Sequence, residues 1–89
     1  MRIVDEWNHG ELKVTAFHMN GRYSLKLETE LMEQWYKFRD GQIEDLNQLK
    51  SSITDTFYDE VMTLFASMNN NRNKILSLRD DKLGFDTII

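Results

Sequence analysis

Glu11 to Glu28 reads ELKVTAFHMNGRYSLKLE, two alternating runs that meet at Asn20-Gly21. An Asn-Gly pair favours a two-residue I′ turn, because both central positions need positive φ and the twist of that turn matches the strands it joins. Such a turn dictates which residues face each other. His18 is then opposite Tyr23, Ala16 opposite Leu25 and Val14 opposite Leu27 on one side of the pleat, while Phe17 meets Ser24, Thr15 meets Lys26 and Lys13 meets Glu28 on the other. The first side is apolar and the second is mixed, so turn chemistry and hydrophobic alternation point to the same hairpin.

Upstream, Arg2 to Trp7 predicts a first strand, with a reversal at Asn8-His9-Gly10. A three-residue loop would pair Trp7 with Glu11 and turn Ile3 and Trp7 to the mixed side, whereas a two-residue His9-Gly10 loop would turn both to the apolar side. Downstream of the break at Thr29-Glu30, Leu31 to Phe38 alternates again. Any even-length turn there groups Met32, Tyr36 and Phe38 with Tyr23, Leu25 and Leu27, and adds Trp35 to the mixed side. Asp40-Gly41 ends the meander.

From Ile43 the apolar spacing changes from two to three or four, through Leu46, Leu49, Ile53, Phe57, Val61, Leu64 or Phe65, and Met68. That is the helical period. A short turn or helix is expected over 43–50, then a main helix over about 55–68 that Thr54 is placed to cap. Asn69-Asn70-Asn71 is expected to stop it, because Asn side chains compete for backbone hydrogen bonds. A second short helix over 73–82, closed by Gly84, and an apolar tail ending in Phe85, Ile88 and Ile89 complete the reading. The fold class is α+β: an antiparallel β meander of three or four strands packed against one main helix, with a short C-terminal helix or tail. Residues 1–89 read as one domain, with the meander in 1–40, helix in 43–83 and the tail in 84–89.

Composition narrows the chemistry. The 89 residues contain no cysteine and no proline, and they carry 11 basic against 15 acidic residues for a net charge of -4. Without cysteine there are no disulfides, thiolate nucleophiles or Cys-based metal sites, which makes the cytoplasm the default location. Acids at Asp5 and Glu6 interrupt the stretch a signal peptide would need apolar, and no run approaches the roughly 20 apolar residues of a membrane span. A net acidic chain gives no long-range attraction for polyanions.

No catalytic constellation emerges, and the reading is of a protein that is not an enzyme and needs no cofactor or metal. His18, on the inferred apolar side opposite Tyr23, reads as a packed residue, and His9 beside Gly10 reads as an exposed turn residue. Neither takes part in a metal-binding spacing. Asp59-Glu60 and Asp80-Asp81 are adjacent pairs, which places their side chains apart around a helix. The four glycines are isolated, so no phosphate-cradling loop is present.

Apolar surface is the stronger signal. Tyr58 and Met62 widen the stripe of the main helix beyond what one sheet need cover, and each large apolar side chain contributes about 1.5–3 kcal/mol when fully buried. The expectation is a homodimer with the main helices or apolar tails near the symmetry axis. In the alternative, the segment after Asn71 folds back over the same surface. Phe17, Trp35, Tyr58, Met62, Phe85 and Ile88 are the candidate partner-binding residues of a small protein-interaction or structural module. The alternative function uses the mixed sheet face, where Lys13, Phe17, Arg22, Lys26, Trp35 and Lys37 would hold single-stranded nucleic acid by stacking bases and pairing phosphates. Glu28 and Glu33 stand to neutralise Lys13 and Lys26 across the strands, which favours the protein partner.

The run from Phe17 to Glu28, followed by Glu33-Gln34-Trp35-Tyr36-Lys37-Phe38, resembles a group of short uncharacterised bacterial proteins of Bacteroides-like genomes. Ile3-Val4-Asp5-Glu6-Trp7 and the pattern from Phe57 to Met68 are similar too. The resemblance covers residues 1–68 and implies a meander followed by a helix. It implies no substrate, cofactor or catalytic set.

Overall fold

The computed structural model describes the backbone of residues 1–88 and the side chains of residues 1–78. Four strands, β1 (Arg2–His9), β2 (Leu12–Met19), β3 (Arg22–Glu28) and β4 (Glu33–Lys37), precede two helices, α1 (Leu46–Ser52) and α2 (Asp55–Ile88). The strands form one antiparallel meander in the order β1-β2-β3-β4, so the fold is α+β as the sequence predicts. By their internal contacts the residues fall into two units, Met1–Thr54 and Asp55–Ile89.

The central hairpin follows from its turn. Asn20 and Gly21 take φ of 52° and 78°, the double positive φ of a I′ turn. Every expected partnership forms, from Met19 with Arg22 to Lys13 with Glu28. A four-residue loop then brings Glu33 opposite Glu28, Trp35 opposite Lys26 and Tyr36 opposite Leu25. Its even length puts Trp35 on the mixed face, as expected.

β1 corrects both expected registers. Its loop is Gly10-Glu11, since His9 pairs with Leu12 and Trp7 with Val14. Gly10 supplies the positive φ (61°) at the first loop position, as a II′ turn requires, and so the strand continues through His9. The ladder then slips between Ile3, opposite Phe17, and Asp5, opposite Ala16. This bulge at Val4 sends Ile3 to the mixed face and leaves Trp7 on the apolar one. Neither register expected from the sequence separated these two residues.

Leu12, Val14, Ala16, Leu25 and Leu27 of the apolar face are buried, together with Leu49 of α1. α1 is fastened to this same face at β1. Lys50 Nζ lies 2.7 Å from the Asp5 carboxylate and 5.0 Å from the Trp7 ring centroid. The helix is well terminated at both ends. Asp45 Oδ1 accepts the Gln48 N–H at 2.8 Å, and Gln48 Oε1 accepts the Glu44 N–H at 2.6 Å, a close variant of the reciprocal capping box. At the other end the hydroxyls of Ser51 and Ser52 both donate to the Gln48 carbonyl, at 3.0 and 2.8 Å, and Ile53 turns extended.

α2 begins at Asp55, directly after Thr54, but it does not stop at the asparagines. It runs unbroken for 34 residues, so there is no separate helix over 73–82 and Gly84 closes nothing. Each Asn costs only a few tenths of a kcal/mol more than a good helix former, whereas no Pro or Gly, the residues that cost about 1–3 kcal/mol, occurs between Asp55 and Leu83. Tyr58, Val61 and Phe65 are its buried positions, spaced three and four apart. From Asn73 to Leu78 every side chain is exposed.

Candidate interaction surface

Alternation along β2, β3 and β4 carries Lys13, Thr15, Phe17, Lys26, Ser24, Trp35 and Lys37 to the face opposite the core. Phe17 and Trp35 come together there. They lie on strands separated by β3, and their rings stack with centroids 5.2 Å apart and planes 19° apart. Lys26, on the intervening β3, holds its ammonium about equally far from both rings, 5.7 Å from the Phe17 centroid and 5.6 Å from that of Trp35. A cation over aromatic faces is held by the ring quadrupole, more strongly where it is partly desolvated.

The cations of this face are mostly paired. Lys26 meets Glu28 at 3.4 Å, Lys13 approaches Glu6 at 3.9 Å and Arg22 meets Asp40 at 3.2 Å. The partners differ from those expected. Glu28 serves its own strand neighbour Lys26, while Glu33 accepts the indole N–H of Trp35 at 2.8 Å. Glu6 reaches Lys13 diagonally, from its place opposite Thr15. Lys37 makes no ion pair among the described residues.

Thr15 sits in the same row, between Glu6 and Lys26. It is 2% exposed although it faces away from the core, and its hydroxyl oxygen has no hydrogen-bond partner among the described residues. Long neighbours therefore seal this face over Thr15, a second, small packed layer. Nothing in the alternation announces it. Farther along, Met1, Met19, Arg22, Ser24, Lys37 and Arg39 border a hollow of about 380 Å³.

The remaining candidates do not join this cluster. Tyr58 is buried on α2, and Met62 is 43% exposed. The side chains of Phe85 and Ile88, and the residue Ile89, lie outside the described residues. His18 packs its ring 4.5 Å from that of Tyr23, as a core-side histidine should. His9 is exposed at the end of β1 rather than within the turn. Among titrating groups Asp5 stands out: the hydrogen bond from Lys50 holds its carboxyl below the usual carboxylate range.

Among the described residues no group of three or more His, Cys, Asp or Glu is placed to hold a metal ion. No helix among them is long and apolar enough to cross a membrane. Compared with protein-family models, curated proteins and solved structures, the chain matches none.

Proposed function

We propose that this is a small non-catalytic module that works in the cytoplasm by binding another protein through the open face of its sheet. The observation that carries the reading is the half-open Phe17–Trp35 stack beneath Lys26. A rigid aromatic pair with a cation above it is the kind of anchor on which binding energy concentrates. The neighbouring charges support a protein partner over nucleic acid, because Lys13, Arg22 and Lys26 each already face a carboxylate. A phosphate backbone would need those cations uncommitted.

Affinity capture with the wild-type chain and with Trp35→Ala tests the proposal. A specific protein held by the wild type and lost by a folded Trp35→Ala supports it, and equal capture by both refutes it. Titration with labelled single-stranded DNA at low and moderate salt separates the second reading: Trp35-dependent binding there would transfer the face to nucleic acid.

A further inference from the structure

The two edges of the sheet are finished differently. On β1 the bulge at Val4 interrupts the ladder, and Lys50 of α1 binds Asp5 and covers Trp7. Such devices guard an edge against pairing with another chain. On β4 the register runs from Glu33 to Lys37 without a bulge. The Phe38 N–H donates to the Tyr23 carbonyl at 3.0 Å. Hydrogen-bonded and non-bonded pairs alternate in an antiparallel ladder, so Tyr36 and Gln34 also turn their main-chain groups toward β3. Glu33, Trp35 and Lys37 turn theirs outward, along the edge, and their side chains are exposed. The Trp35 ring does not obstruct that edge, because it leans inward over the sheet to reach Phe17.

We propose that β4 pairs antiparallel with β4 of a second copy of this chain, across a two-fold axis at Trp35, so that two four-stranded sheets become one. The segment Glu33-Gln34-Trp35-Tyr36-Lys37 is self-complementary in that register. Trp35 falls opposite Trp35 of the other copy, and Glu33 of each copy falls opposite Lys37 of the other. Every one of these facing residues has its N–H and C=O directed at the partner strand, the arrangement that yields paired main-chain hydrogen bonds. Both ends gain an opposite-charge pair on the same face. Lys37, which has no ion-pair partner among the described residues, acquires one. Sliding the strands by two residues sets Trp35 against a charged residue and breaks the symmetric charge match. The contact is made by the β4 main chain, and it sets the two Phe17–Trp35 stacks side by side on one continuous face.

Sedimentation of the full chain over a concentration series is expected to show a species of twice the 10.6 kDa monomer mass. Glu33→Lys sets a cation against Lys37 at both ends of the contact, and Lys37→Glu sets an acid against Glu33. Each variant alone is expected to weaken the dimer about tenfold or more. Mixed in equal amounts the two are complementary at both ends, and the mixture is expected to form a heterodimer about as strong as the wild-type dimer. Amide exchange gives a readout independent of mutation: the N–H groups of Glu33, Trp35 and Lys37 should gain protection as concentration rises. The proposal is overturned by a monomer at every concentration, by a mixture that stays apart, or by a dimer indifferent to both substitutions, as a contact through α2 would be.

Discussion

The two faces of the sheet are made by the same strands, residue by alternate residue, yet they are built on different terms. On one face Leu12, Val14, Leu25 and Leu27 are all at most 2% exposed, and burial alone accounts for their selection. On the other, aromatic rings, lysine stems and paired carboxylates form a thinner layer that still excludes water from Thr15. The difference teaches that this polar face is organised as well as wet. Its side chains hold one another in place, which is what a recognition surface needs to bind without first being ordered.

Substitutions can break or sharpen that contrast. The largest effect is expected from Leu27→Ala on the apolar face, which should lower unfolding free energy in chemical denaturation by about 2–5 kcal/mol, the usual cost of a buried leucine. Next is the turn that sets the parity of both faces. Gly21 has φ of +78°, and a Cβ there would lie 3.5 Å from the Asp40 carboxylate; Gly21→Ala should cost about 1–2 kcal/mol, mainly as backbone strain.

Thr15→Val works in the opposite direction. It replaces a buried hydroxyl that has no partner among the described residues with a methyl group of similar shape, so it should stabilise by about 1 kcal/mol. A loss of stability instead would show that the hydroxyl is satisfied and that the open face is wetter than its packing indicates. The smallest effect concerns Asp5, whose carboxyl Lys50 holds below its usual range. Its contribution to stability is complete above the ordinary carboxylate value and fades as pH falls through the lower folded value. Asp5→Asn should therefore flatten the acid limb of a stability-against-pH curve measured by denaturant midpoint, leaving the alkaline side unchanged.

How much of this was legible depended on how far a local signal reached. Asn20-Gly21 demands two positive φ values at adjacent positions, and every partnership along β2 and β3 follows from it. Trp35 reached the correct face because an even loop preserves parity whatever its length. β1 was not legible, since one glycine serves equally as the first or last residue of a loop and a bulge leaves no mark in composition. The asparagines after Met68 misled because a weak helix former was weighed as a breaker. Asp45 and Gln48 do carry a readable capping signal, three residues apart, and it is the sign of α1 that spacing alone blurred.

For the interaction surface, the meeting of Phe17 and Trp35 on one face followed from alternation, but their stack under Lys26 did not. Which carboxylate each lysine selects is a matter of rotamers and of the β1 register. The burial of Thr15 was hidden for a related reason: threonine on a mixed face reads as polar, and only the long side chains around it close it off.

The extra residue at Val4 also determines where Met1 lies. Because the bulge turns Ile3 to the side of Phe17, Met1 lies beside Met19 and Lys37 at the rim of the hollow there. An affinity handle attached ahead of Met1 therefore starts out over the surface a partner would use. Assays of that surface need the handle cleaved, or a long spacer between it and Met1, before a negative result carries meaning.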